Sequence, residues 1–174
     1  ITLVAHSLGS LVTMEALRQI AIADPGTVEG RIDGVILISP DIDVEVFRSQ
    51  VTRIGELPQP FGIFVSQRDR ALALSARLTG QRERLGNVRS VQEVSDLDIT
   101  ILDVTRFSRG LGHFTVGTSP ALISIFSRLG ELDQAFAGEA SGQIGLLPGT
   151  ILTVQNATEI ILSPVTGLAE AALQ

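Results

Sequence analysis

Ile1-Thr2-Leu3-Val4-Ala5-His6-Ser7-Leu8-Gly9-Ser10 runs from an apolar, β-prone segment into a small-x-Ser-x-small turn, and a helical pattern follows at once. Leu8, Leu11, Val12, Ala16, Leu17, Ile20 and Ala21 recur at helical spacing, with Glu15, Arg18 and Gln19 on the other face. A strand that breaks into a helix at a serine is a nucleophile elbow. The serine is held at a strained corner, so its hydroxyl stands up from the carboxyl edge of a sheet. Ala5 and Gly9, two residues before and after Ser7, are small enough to let strand and helix backbones approach, with alanine where the strict pattern has glycine. The helix N-terminus would aim backbone N–H groups at negative charge forming beside Ser7. The competing reading is a buried serine in a tight turn.

The bulk properties suit such a site. A chain of 174 residues, 44% of them hydrophobic, is long enough to bury one substantial core. The formal charge is −6 and all 13 basic residues are arginines. Scattered arginines on an acidic chain make no basic stripe, which argues against nucleic acid as a partner. With no cysteine and only 2 histidines, thiol catalysis is excluded and a histidine-rich metal site is not expected. No run reaches the roughly 18 apolar residues of a transmembrane segment. A chain that opens in mid-strand on its nucleophile reads as the C-terminal piece of something longer.

Outward from the elbow, Asp24-Pro25-Gly26 is a helix stop and a polar link runs on to Arg31. Val35 to Ser39 and Phe61 to Ser66 are continuous apolar runs, as buried parallel strands require. Between them Val44, Phe47 and Val51 predict a short helix, capped by Asp41 or Asp43, and Pro58 and Pro60 bracket a loop. Ala71 to Leu78 is helical with Gly80 as its stop, Arg82 to Val94 is mixed, and Asp98 to Val104 is a last strand. Ser119-Pro120 opens a helix over Ala121 to Leu129. Strand alternating with helix at this rhythm predicts an α/β fold with a parallel sheet flanked by helices. Its four main strands should be adjacent in chain order, with the first as an exposed apolar edge.

A serine hydroxyl needs a base to take its proton and a third group to orient that base. His113, in Gly110-Leu111-Gly112-His113-Phe114, lies after the last strand with glycines to turn its backbone. His6 is a poor base candidate, because in an elbow its side chain points away from that of Ser7. For the carboxylate, Asp69 follows the strand Phe61 to Ser66 at the carboxyl edge, where sites of parallel sheets gather. A local ion pair with Arg68 or Arg70, or a helix cap, would also explain it. Asp41, with Asp43, follows the strand before and is the rival. Asp96, Asp98 and Asp103 are placed before or inside the last strand, at the wrong end or pointing into the sheet. Arg68, Arg70, Arg106 and Arg109 would favour an acidic substrate, and solvated charge explains them equally well.

The order Ser, Asp, His along the chain is that of the α/β hydrolases. The sequence resembles that superfamily, and more narrowly the bacterial family of α/β hydrolases of unknown function. The motifs that carry the resemblance are Ala5-His6-Ser7-Leu8-Gly9, Ser66-Gln67-Arg68-Asp69-Arg70-Ala71-Leu72 and Gly112-His113. It implies Ser7 as nucleophile, Asp69 as acid and His113 as base. It also implies that the part of the fold before the elbow precedes Ile1, including the loop that gives the second oxyanion-hole N–H, so that only the Leu8 donor is present. Losing one such donor costs about 10² to 10³ in rate, so this stretch alone is expected to hold the triad and work poorly.

The division expected is a partial α/β-hydrolase domain over 1–130, from the nucleophile elbow onward, and an apolar, non-conforming C-terminal extension over 131–174. Within the extension, Thr150 to Val154 and Glu159 to Leu162 flank a polar turn and read as a hairpin or two short apolar elements. The tail carries no basic residue after Arg128 and is acidic, so it should pack on protein rather than an anionic membrane, loosely and with much apolar surface exposed. The leading expectation is a serine hydrolase of ester-type bonds in a small-molecule or lipid-like acyl substrate, with no cofactor. The alternative is a catalytically inactive binding or cell-envelope scaffold on the same fold. The strand edge and the tail are the surfaces expected to support self-association.

Overall fold

The computed structural model describes residues 1–80, 83–107, 143–144, 147–154 and 156–162. Its centre is a pair of strands, β2 (Gly34–Ile38) and β3 (Phe61–Val65), buried at every position. Their unbroken apolar runs need cover on both faces, which helical crossovers supply in a parallel sheet. β1 (Thr2–His6) pairs parallel with β2, and β4 (Thr100–Asp103) pairs parallel with β3. The order β1, β2, β3, β4 is the one expected from the sequence. β1 forms the edge, where only Ala5 of its five residues is buried and Val4 is 57% exposed.

The helices sit where their apolar stripes demand. α1 (Leu8–Ala23) buries Met14, Leu17 and Ala21, and packs beside α3 (Val44–Ile54), which buries Phe47 and Val51. These side chains join Val35, Leu37, Phe61, Ile63 and Ile101 in one cluster. Successive strand residues face opposite ways, and Ile36 and Leu102 accordingly share the other face, where both lie near Gly62. Between α1 and β2 the chain forms a short α2 (Thr27–Arg31) where a polar link was expected. α4 (Arg70–Leu78) follows β3, and Gly80 adopts a left-handed φ of +70° beyond its end. The mixed stretch after it holds two 3-10 turns, Leu85–Asn87 and Val91–Val94, with Leu85, Val91 and Val94 buried.

β6 (Leu147–Val154) and β7 (Ala157–Leu162) form the expected hairpin, and the two-residue β5 (Gln143–Ile144) pairs antiparallel with β6. β7 adds to the sheet parallel to β4, making five parallel strands flanked by helices, the α/β-hydrolase architecture. Ala157 and Ile160 are fully buried, so β7 packs more closely than the loose tail expected. The expected helix over 121–129 lies outside the described residues.

Candidate active site

Ser7 closes β1 at φ 54° and ψ −126°, and α1 begins at the next residue. A positive φ on a side-chain-bearing residue costs on the order of 1–3 kcal/mol and persists only where its surroundings over-determine it. Here the Ser7 N–H donates to the Ile38 carbonyl at 2.9 Å, and the Ser7 carbonyl accepts from Ser10 N–H at 3.0 Å and Asp41 N–H at 3.2 Å. Leu8, as first residue of α1, has an N–H with no acceptor inside the helix. A Cβ at Gly9 would meet no described atom within 4 Å, so among the described residues nothing demands that glycine.

Among the described residues one other non-glycine has positive φ, Ser39 at 44°, at the end of the neighbouring strand. It is buried and its hydroxyl has no hydrogen-bond partner among the described residues. Backbone strain thus gathers at the carboxyl edges of β1 and β2. The Ser39-Pro40 pair that ends an apolar run was the only sequence signal for it.

Asp69 stands at the carboxyl edge of β3 and is 1% exposed. Its Oδ1 accepts from Ala71 N–H at 3.0 Å and Leu72 N–H at 3.1 Å, capping α4 with one of its two oxygens. Asp43 caps α3 in the same way, accepting from Glu45 and Val46 N–H at 2.9 and 3.2 Å. Asp41 is engaged otherwise: Ser75 Oγ lies 2.9 Å from both its oxygens and Arg84 Nε lies 3.1 Å from Oδ1. That Nε–H is not aimed along a hydrogen bond, so the Arg84 contact is an ion pair alone.

Asp103, expected inside the last strand and pointing into the sheet, instead ends it. It is the last residue of β4, in register with Val65; it is buried, and its Oδ1 accepts from Thr105 N–H at 2.8 Å. Thr105 Oγ1 in turn accepts from Gln67 N–H at 2.9 Å, tying the loop after β4 to the loop that carries Asp69. Burial, and then the Asp103 carboxylate, push the Glu159 carboxyl up from its usual range. Asp96 precedes β4, as expected, and makes a two-pronged pair with Arg48 at 2.7 Å; the Arg48 guanidinium holds its carboxyl below the usual range.

His6 is exposed, and so are Arg68 after β3, Arg70 at the start of α4 and Arg106 after β4, all at the carboxyl edge. His113 and Arg109 lie outside the described residues. The described residues hold no cluster of His, Cys, Asp and Glu suited to a metal ion. They include no helix long and apolar enough to cross a membrane. A groove of about 640 Å³ opens at the opposite edge of the sheet, between Asp33, Gln59, Asp98 and Asn156. Those residues precede β2, β3, β4 and β7, and ligands of parallel sheets bind at the other end.

The model of a family described as alpha/beta hydrolase of unknown function (DUF900) matches residues 1–130. The chain belongs to that family. No curated protein and no solved structure matches it. The matched residues of this α/β hydrolase contain the elbow, the loop of Asp69 and His113, and the fold places the first two at one edge of one sheet.

Proposed function

We propose that this α/β hydrolase is a serine hydrolase that cleaves an ester-type bond in a small-molecule or lipid-like acyl substrate. The observation that carries the reading is the backbone of Ser7, bent to φ 54° and ψ −126° between a parallel strand and a helix. A serine is held there at a cost, and a hydroxyl raised from the carboxyl edge is what that cost obtains. Ser7 Oγ attacks the acyl carbon while His113 takes its proton. The oxyanion that forms is met by the Leu8 N–H and the N-terminal end of α1. His113 then protonates the leaving alcohol, and water activated by the same imidazole releases the acid from the acyl-enzyme.

Asp69 is the group proposed to orient His113 through the oxygen that its cap does not use. Among the carboxylates weighed for this role, Asp69 is supported by its burial at the edge of β3, whereas Asp41 is committed to Ser75 and Arg84 and Asp43 is part-exposed at the cap of α3. The test is a fluorophosphonate probe on the full-length protein. Label on Ser7, lost in S7A and H113A, is the expected result. A folded protein that takes no label would refute the hydrolase reading and leave the fold as a binding scaffold.

A further inference from the structure

We infer that Asp41, Arg84 and Ser75 form a positioning brace that fixes the nucleophile's turn against the helix of the acid. The inference rests on the reading of Ser7 and Asp69 as nucleophile and acid. Asp41 touches both sides. Its backbone N–H donates to the Ser7 carbonyl at 3.2 Å, while its carboxylate accepts from Ser75 Oγ at 2.9 Å. Ser75 lies on α4, whose N-cap is Asp69, so one residue links the strained serine to the element that starts at the acid.

Arg84 locks this link from the third side. Its guanidinium pairs with Asp41, and its Nη2 donates to Thr79 Oγ1 at 2.7 Å at the far end of α4. Its backbone segment is stitched across the ends of two strands. Leu85 N–H donates to the Ile42 carbonyl at 2.8 Å and Gly86 N–H to the Pro40 carbonyl at 3.0 Å, while Ser66 N–H donates to the Gly86 carbonyl at 2.8 Å. Arg84 is only 7% exposed, and a buried charge of this kind persists where a partner holds it. The brace therefore sets the spacing of Ser7 and Asp69, and misplacement by about 1 Å at a reacting group costs on the order of 10²-fold.

The experiment compares wild type, D41N and S75A as full-length proteins, following fluorophosphonate labelling of Ser7, p-nitrophenyl ester turnover and thermal unfolding. D41N keeps the backbone N–H to Ser7 and an oxygen for Ser75 but loses the charge that Arg84 faces. Folded D41N is expected to label about 10- to 100-fold more slowly, with the loss in kcat and KM unchanged. S75A, which removes one hydroxyl and no charge, should lose less in the same direction and carries the test if D41N does not fold. Folded variants that label at the wild-type rate, or that lose only stability, overturn the brace. A wild type that takes no label at Ser7 overturns the catalytic reading itself, and the brace with it.

Discussion

Gly86 sits where a single methyl group should be felt across the sheet's carboxyl edge. A Cβ built there would lie 2.5 Å from Leu72 Cδ1, 2.7 Å from Pro40 N and 2.7 Å from Ser39 C. Carbon atoms in contact prefer about 3.5–4.0 Å. Leu72 is 1% exposed and has nowhere to swing, and the other two atoms are backbone. Relief must come from moving the 84–87 segment away, which stretches the Gly86 to Pro40 and Ser66 to Gly86 hydrogen bonds. Overpacking of this kind costs about 1–3 kcal/mol, and weakening two hydrogen bonds adds up to about 1 kcal/mol each. G86A is therefore expected to lose about 2–4 kcal/mol, lowering Tm by about 5–15 °C for a domain of this size. Gly30 in α2 is the control, because a Cβ there meets nothing within 4 Å and helix propensity favours alanine by up to about 1 kcal/mol. Urea unfolding of the two variants measures the difference. G86A within about 0.5 kcal/mol of wild type would refute the steric argument.

Two further outcomes separate roles that share a residue or a face. D69N keeps an oxygen to cap α4, so its stability should shift by less than about 1 kcal/mol while Ser7 labelling falls by about 10³- to 10⁴-fold; equal labelling of folded D69N and wild type would remove Asp69 from the mechanism. Glu159 has a folded pKa raised by burial and by Asp103. The folded state thus holds that proton more tightly, and the stability this contributes is full below the ordinary glutamate value of about 4.3 and is lost as pH rises through the raised folded value. E159Q cannot ionise, so its stability relative to wild type should climb across that window and level off above it; a difference independent of pH, read from unfolding midpoints, would contradict the assignment.

The parts of the fold legible in sequence were those where one physical demand dominates. Val35 to Ile38 and Phe61 to Val65 are apolar without alternation, and only a strand covered on both faces suits that pattern. The cap of α3 was left between Asp41 and Asp43, because either spacing fits the apolar stripe that follows. Three-dimensional distance decides it: Asp43 reaches two amides of the first turn, and Asp41 is drawn off to Arg84. Arg84 itself lies in a stretch with no periodicity, held by bonds to Pro40, Ile42 and Ser66 rather than by local propensity. The hairpin of β6 and β7 was legible from its two apolar runs, while its docking on β4 was not, since strand pairing across more than 50 residues leaves no local mark.

At the site, the sequence offered a helix cap and a catalytic acid as rival explanations of Asp69; the structure shows the cap, and the acid role stays with the proposal. A carboxylate has two oxygens, and both cap bonds fall on Oδ1. Those bonds restrain the carboxylate, as the proposed role of orienting His113 would require. Asp103 reads from sequence as lying inside the last strand, and it ends that strand instead. A four-residue strand is short enough that one residue's misjudgement of its end turns a buried edge carboxylate into an apparent misfit within the sheet. The same reasoning accounts for Ser7 and Ser39 together. Adjacent parallel strands that both end on strained serines must turn their chains within one residue of each other, and the Asp41 N–H reaches the Ser7 carbonyl because Ser39 has already turned. The strain at Ser39 is thus part of what holds the elbow. Relaxing it, by a change that lets Pro40 and Asp41 follow the strand direction, would remove one of the two hydrogen bonds on the carbonyl of the proposed nucleophile.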